Sequence, residues 1–307
     1  MNDWAIQILR CVRCNATPLD WKEGGFACRK CGVNYSIRNG ISDFLTSLHA
    51  VPQREREAVE KLSEIPEAVK RLQDLLQKWD TSDLSESDYQ EFECLRHAAE
   101  SRKQLIDLLE RYPIPEGSVV LEIGADHCWT SNLFLDRNCK VFAIDITNHL
   151  ELASRASDPN LFRAYADMNL LPLKNESVDI VWTTSAAHHT WDLERTFQEC
   201  FRVLKPQGSL CFSCEPIPSI LRYFFGKDFG HQEREAGINE MWIRRSKWLT
   251  SSRKAGFQPQ LIYPSLDPAS ISERLRQRRI PAFFAPLLTP FMKYLQVSIH
   301  LFAQKSR

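Results

Sequence analysis

From Ser118 onward the chain alternates short apolar runs with helix-patterned segments, and this rhythm restricts the fold more than any other feature. Residues 119–123, 140–144, 178–182 and 209–213 read as strands, with helices expected over 129–136 and 193–204. Repeated strand–helix–strand units make a parallel sheet covered by helices on both faces, a doubly wound α/β arrangement. A helix over 245–255, a strand over 258–263 and a closing strand over 297–303 continue the pattern. Residues 264–296, between the last two strands, are enough for an inserted helical piece that includes Ile271–Arg279.

In such a sheet, ligands bind at the carboxyl ends of the strands, near the reversal of strand order. The turn after the first strand needs a glycine so that backbone can approach the ligand, and Gly124 stands there. Asp145 lies 23 residues after Glu122, at the end of the second strand, where a carboxylate can accept from both hydroxyls of a ribose.

These residues resemble the class I S-adenosylmethionine-dependent methyltransferases (methyltransferase type 11-like), and the resemblance covers roughly Ser118 to Phe302. That family's loop is acid-x-Gly-x-Gly-x-Gly; here Glu122-Ile-Gly124-Ala-Asp126-His-Cys128 keeps the first glycine and places Asp126 and Cys128 at the other two. The stretch from Ala166 to Leu173 is similar to the family's adenine-binding segment. It implies that Asp167 accepts from the exocyclic amine and that Met168 lies beside the ring. Ser185-Ala-Ala-His188-His189 is similar to the loop after the fourth strand, and Glu199 to Leu210 to the helix–turn–strand signature, with its turn at Lys205-Pro206-Gln207-Gly208. The resemblance implies a mostly parallel, seven-stranded, Rossmann-like sheet. It also implies cofactor contacts from Glu122, Gly124, Asp126, Asp145, Ile146, Asp167, Met168 and Ser185.

A nicotinamide-dependent oxidoreductase is the rival for the Gly124 and Asp145 pair. Its pyrophosphate needs the second glycine and an open helix N-terminus, whereas Asp126 would repel it. S-adenosylmethionine carries a sulfonium and no phosphate, so an acid there is tolerable.

Four of the ten cysteines form two knuckles, Cys11-x-x-Cys14 and Cys28-x-x-Cys31. Two such pairs complete a closed four-sulfur tetrahedron for structural Zn2+. So short a segment, poor in large apolar residues, needs a staple to fold. The stretch from Cys28 to Leu45 resembles the zinc ribbon of small proteins related to the activator subunit of tRNA and protein methyltransferases. Similar ribbons are fused to methyltransferases of ribosomal RNA guanine, and of glycan or natural-product clusters. The six other cysteines read as buried free thiols.

The expected organisation is a zinc ribbon over 1–46, a helical connector over 47–112 and a methyltransferase domain over 113–307. Lys+Arg and Asp+Glu both number 39, so no whole-molecule field attracts nucleic acid. Arg274, Arg276, Arg278 and Arg279 are the one basic cluster, equally explained as a solvated helix face. A small-molecule or glycan acceptor is therefore favoured, with RNA as the alternative. A third reading is a non-catalytic cofactor-binding partner that docks protein through its ribbon. The sequence shows no apolar run of membrane-spanning length and no secretory pattern, so a cytoplasmic location is expected. Candidate bases are His188, after the fourth strand, Glu215, after the fifth, and His231 in the long loop 226–242, which also holds Asn239-Glu240; residues 224–242 read as a lid over a small or sugar-like acceptor.

Overall fold

The computed structural model describes residues 3–22, 24–46, 48–62, 67, 70–71, 74–76, 85, 87–88, 93–219, 231–263 and 297–306. The N-terminal segment forms α1 (Asp3–Gln7) and four short strands, β1 (Asp20–Lys22), β2 (Gly25–Ala27), β3 (Asn34–Arg38) and β4 (Ile41–Asp43). Two helices follow among the described residues, α2 (Ala50–Leu62) and α3 (Glu93–Arg111). The alternating region then supplies β5 (Val119–Ile123), α4 (Trp129–Leu135), β6 (Lys140–Asp145), β7 (Leu161–Tyr165), β8 (Val178–Thr184), α5 (Leu193–Val203) and β9 (Leu204–Pro216). The remaining elements are α6 (His231–Ala236), α7 (Arg245–Lys254), β10 (Phe257–Ile262) and β11 (Ser298–Lys305).

The strands join in one sheet of order β1-β2-β3-β4-β7-β6-β5-β8-β9-β11-β10. The expected seven-stranded sheet is thus extended to eleven, because β4 pairs in parallel with β7 and carries the N-terminal hairpins onto the sheet edge. The sheet is mixed rather than mostly parallel: the five ladders from β4 to β9 are parallel, while the ladders among β1–β4 and those of β9, β11 and β10 are antiparallel. Strand order reverses between β5 and β8, so the ligand crevice of this topology falls at their carboxyl ends.

Strand residues alternate between two cores. Leu121, Phe142 and Val181 face Phe197 and Trp248 on the side of α5 and α7. Val120, Val141 and Ile180 face Leu105, Leu108 and Phe134 on the side of α3 and α4. Burying each such side chain stabilises the fold by about 1.5–3 kcal/mol. α5 starts where Asp192 accepts from the amides of Glu194 and Arg195 at 3.0 and 3.1 Å, an N-cap contributing about 1 kcal/mol.

Two expectations shift locally. β9 begins at Leu204, already paired with Val178, and residues 205–208 bulge out before the ladder resumes at Ser209. Gln207 takes a positive φ there, which is why the stretch reads as a turn. The sequence Ile271–Arg279 and the cluster of Arg274, Arg276, Arg278 and Arg279 lie outside the described residues.

The N-terminal segment is fastened by polar contacts as well as by β4. Arg10 Nη2 lies 3.1 Å from Glu199 on α5, and both side chains are buried. Glu199 also accepts from Arg202 and from the Leu171 amide. Leu9 bridges Leu173, and the amides of Arg10 and Lys174 reach the carbonyls of Pro172 and Ile8. No described helix is long and apolar enough to cross a membrane.

Candidate functional site

At the reversal point, β5 ends in Gly124 with φ +67, and a Cβ at this position would lie 2.3 Å from Ala186 Cβ on the turn after β8. Only a residue without a side chain lets these two turns touch. Asp126 (φ 46) and Cys128 (φ 62) also adopt the left-handed conformation. At these two positions, where the resembled loop has glycine, the residue identity differs but the left-handed backbone is present, and aspartate is among the side chains that tolerate this region.

The amides of the turn are spent on the second strand. Ala125 N donates to Ile144 O at 3.0 Å, and Asp126 N donates to Asp145 Oδ2 at 2.9 Å. Cys128 N closes on Ala125 O at 2.7 Å. A pyrophosphate cradle needs such amides pointing outward, so this geometry disfavours a dinucleotide. Asp145 Oδ1 accepts from the Thr147 amide and hydroxyl, each at 2.9 Å, while Oδ2 takes only the Asp126 amide. One lone pair of Oδ2 is left for a ribose hydroxyl. Burial raises the Asp145 pKa.

Asp126 is gripped by two imidazoles, His127 Nδ1 at 2.6 Å and His149 Nδ1 at 2.5 Å. Burial opposes its ionisation, but the two histidines hold it well below the usual carboxylate range. His149 moves the other way: burial works against its charged form, yet Asp126, with Asp145 behind it, raises it to about 9. Glu122 lies beneath the turn, 2% exposed, and accepts from the Ser131 hydroxyl. Burial pushes its pKa up to about 8. Glu122 therefore braces the turn from below rather than lining the crevice. Ile146 follows Asp145 at the half-buried strand end, and Ser185 is exposed with φ 52.

Asp167 Oδ2 accepts from Trp191 Nε1 at 3.0 Å and Oδ1 from the Asn169 amide at 2.8 Å. Trp191 stacks on His49 with ring centroids 4.3 Å apart, and Met168 is half-buried. Neither His49 nor Trp191 carried a sequence signal.

Beyond Ala186 the turn is nested on Glu215, which is fully buried at the end of β9. Its carboxylate accepts from the amides of Ala186, Ala187 and His188 at 3.3, 3.0 and 3.1 Å and lies 2.9 Å from His188 Nδ1. Glu240 Oε2 approaches His188 Nε2 at 3.2 Å and His189 Nε2 at 3.6 Å. Burial disfavours the imidazolium, but the contacts with Glu215 and Glu240 outweigh it and raise His188 to about 9. Both ring nitrogens are engaged, which leaves no free base on His188 at neutral pH. Asn239 Nδ2 holds the segment to the carbonyls of His189 and Thr190 at 2.8 and 3.0 Å. Glu55 of α2 completes the cluster, 2.7 Å from His189 Nδ1. Nothing marks Glu55 among the many charges of that helix. His231 begins α6, and its side chain lies outside the described residues.

The four N-terminal cysteines also converge. Each of Cys11, Cys14, Cys28 and Cys31 offers a sulfur within 4.8 Å of the others. Asn15 and Gly32 take positive φ, and their amides return to the Cys11 and Cys28 carbonyls at 2.9 Å. Sγ pairs stand 3.5 Å apart, close to the ~3.8 Å edge of a tetrahedron with ~2.3 Å zinc–sulfur bonds. The Tyr35 hydroxyl lies 3.1 Å from Cys11 Sγ. A cavity of ≈ 690 Å³, lined by Tyr112, Gly117, Asp179, Lys205 and Phe302, lies at the amino ends of β5, β8 and β9, remote from Gly124.

Comparison with known proteins agrees with this geometry. Residues 121–212 match a family model described as a methyltransferase domain. The malonyl-[acyl-carrier protein] O-methyltransferase of Enterobacter lignolyticus is 27% identical over 125 residues, 41% of this chain and 50% of that one. A protein of Mycolicibacterium smegmatis designated "Probable S-adenosylmethionine-dependent methyltransferase" is 30% identical over 112 residues, 36% of this chain and 42% of its own. The chain spans half or less of the length of these relatives. Among solved structures, a complex between the Haloferax volcanii Trm112 methyltransferase activator and the protein designated as a methyltransferase superposes with TM-score 0.50 at 18% identity, covering 69% of this chain and 94% of that one. Geranyl diphosphate methyltransferase bound to GPP and sinefungin gives TM-score 0.50 at 16% identity, covering 68% and 77%. Residues 121–212, which hold the Gly124 turn and the Asp145 carboxylate, thus match a methyltransferase domain model, and the fold around them is shared with these solved structures.

Proposed function

We propose that the chain is an S-adenosylmethionine-dependent methyltransferase acting on a small-molecule or glycan acceptor. The observation that carries this reading is the pairing of Gly124 and Asp145 at the strand reversal, with the turn amides consumed internally and one Asp145 lone pair left over. That donor set suits a ribose beside a cationic, phosphate-free group. When bound, S-adenosylmethionine supplies an electrophilic methyl on sulfur. The chain's own part is alignment: Gly124 and Asp126 shape the turn, Asp145 orients the ribose, and Asp167 with Met168 receives the adenine. Ile146 and Ser185 stand at the rim. Positioning of this kind supplies most of the rate in an in-line displacement.

The acceptor would enter from the side of His188, Glu215 and Glu240, which follow β8 and β9. The zero formal charge and the O-methyltransferase designation of relatives favour a small oxygen acceptor over RNA. We assign residues 1–46 as a structural zinc ribbon, 47–112 as the connector and 113–307 as the methyltransferase domain. In this reading the ribbon braces the sheet edge through β4 and Arg10, and its outer surface is the candidate for docking protein.

Calorimetric titration with S-adenosylhomocysteine tests the proposal. The wild-type chain should bind one equivalent, and Asp145→Ala should weaken binding about tenfold or more, the loss of roughly one hydrogen bond to a charged group. No binding by the wild-type chain would defeat the enzymatic reading.

A further inference from the structure

The side chains beyond Ala186 are arranged as a metal site. His188 Nε2 and His189 Nε2 converge on the same oxygen, Glu240 Oε2, at 3.2 and 3.6 Å. Two ligands in adjacent positions around a first-row metal with ~2.1 Å bonds stand about 3.0–3.4 Å apart, so the spacing is nearly that of a filled coordination sphere. The ligand atoms of His188, His189 and Glu240 all lie within 4.8 Å of one another.

His188 has the outer contact that a metal-binding histidine requires, and His189 has a carboxylate facing the same ring nitrogen. A ligating imidazole presents one nitrogen to the ion and keeps the other on a carboxylate, which fixes tautomer and ring orientation. Glu215 Oε2 is hydrogen-bonded to His188 Nδ1 at 2.9 Å, and Glu55 Oε1 approaches His189 Nδ1 to 2.7 Å as an ion-pair contact without hydrogen-bond alignment. Both carboxylates are buried, at 0% and 7% exposure, and Glu55 Oε2 has no hydrogen-bond partner among the described residues. Three carboxylates thus surround two imidazoles. Arg234 donates to the Glu240 carbonyl at 3.1 Å and adds one positive charge beside these three carboxylates. A divalent cation would offset that excess, and buried carboxylates are retained when paired or on a metal.

We propose that His188, His189 and Glu240 bind a divalent first-row metal, with Glu215 and Glu55 orienting the two imidazoles. Two histidines and one carboxylate occupy one side of such an ion and leave positions open. The open side takes an oxygen-bearing acceptor, a hydroxyl with a second oxygen donor beside it. The place in the fold gives the ion a task, granted the methyltransferase reading on which this part rests. Ala186 touches Gly124 of the cofactor turn, and His188 follows it by two residues. A metal-bound hydroxyl loses its proton to solvent at neutral pH far more readily than a free one. The resulting oxygen forms a bond to the methyl carbon while the carbon–sulfur bond breaks and its electron pair stays on sulfur. This step does not need His188 as a base.

Cobalt(II) titration of the full chain, with its cysteine site first filled with zinc, tests the proposal. One equivalent should bind with weak visible bands and without the sulfur-to-metal charge transfer that cobalt in the ribbon would give. Glu240→Gln and His189→Ala should each abolish that equivalent, and Glu55→Gln should weaken it about 10–100-fold. Thermal melting verifies that each variant is folded, and the wild type should melt higher with cobalt present. Zinc at the cysteines should be unchanged in all three variants. Failure of the wild type to take up a second metal overturns the site, as does full retention of cobalt in folded Glu240→Gln and His189→Ala. S-adenosylhomocysteine binding is measured in parallel. Cofactor binding without a second metal refutes this inference alone, whereas metal uptake without cofactor binding refutes the methyltransferase reading and leaves the site standing.

Discussion

Replacing Gly124 by alanine should damage the site by a predictable amount. At φ +67 a side-chain-bearing residue costs about 1–2 kcal/mol, because its Cβ crowds the following carbonyl. The new methyl would also meet Ala186 Cβ at 2.3 Å, far inside ordinary carbon contact. The turn after β8 must retreat by roughly 1 Å, and overpacking of this kind costs about 1–3 kcal/mol. Gly124→Ala should therefore lose about 2–5 kcal/mol in urea unfolding. It should also weaken S-adenosylhomocysteine, because the displaced residues border the crevice.

The informative variant is the double one. Ala186→Gly removes the methyl that Gly124→Ala strikes while leaving the backbone strain. Alone it should cost about 0.5–1 kcal/mol of chain entropy. In the Gly124→Ala background it should relieve the contact of about 1–3 kcal/mol against that same entropy cost, a net recovery of about 0–2.5 kcal/mol. The double-mutant cycle then reports a coupling well above the ~0.5 kcal/mol expected of independent sites. Additive effects within that margin would refute the claim that the two turns are in contact.

Two further outcomes follow from the polar groups. His149 is raised from 6.5 to about 9 by Asp126, so its stabilising contribution is complete below pH 6.5 and is lost as pH rises through 9. With its side chain 29% exposed, this is about 1–2 kcal/mol. Urea midpoints of the wild type should fall between pH 7 and 9.5, while His149→Gln should show that part of the slope removed; parallel slopes would contradict the assignment. Cys28→Ser should lose one dialysis-resistant zinc per chain by elemental analysis and melt lower, since the site's binding energy is folding energy. A wild type free of zinc would count against the ribbon.

Much of the sheet was legible because strands buried on both faces are continuous apolar runs. β5, β6 and β8 carry the Gly124 and Asp145 pair at the expected places for this reason. β7 escaped notice because Arg163 interrupts Leu161–Tyr165, and only the structure shows that its guanidinium bonds the Leu150 carbonyl at 2.6 Å. β4 escaped for another reason: Ile41–Asp43 is too short to signal itself, and its partner lies more than a hundred residues away. The cysteine knuckles were fully legible, since their chemistry is local. The carboxylates around His188 were not. Glu55 and Glu215 come from α2 and β9 and Glu240 from the stretch between α6 and α7, and no local pattern announces their meeting.

Asp126 and Cys128 stand where the resembled loop has glycine and keep a left-handed backbone, which bears on the rest of the site. Asp126 enters that region and is then fixed by His127, His149 and its own amide on Asp145. A side chain in place of glycine thus costs conformational energy but ties the turn to both β6 and the residues after it. The same logic holds across the crevice. Ser185 has a positive φ, and the three amides after it are pinned on Glu215. The two turns that meet at Gly124 and Ala186 are therefore each locked by a carboxylate, half-buried Asp145 under the first and fully buried Glu215 under the second, and the histidines that follow inherit that rigidity. A ligand sphere of two imidazoles and Glu240 needs such a base, because misplacement by about 1 Å is enough to lose an ion or to misalign an acceptor.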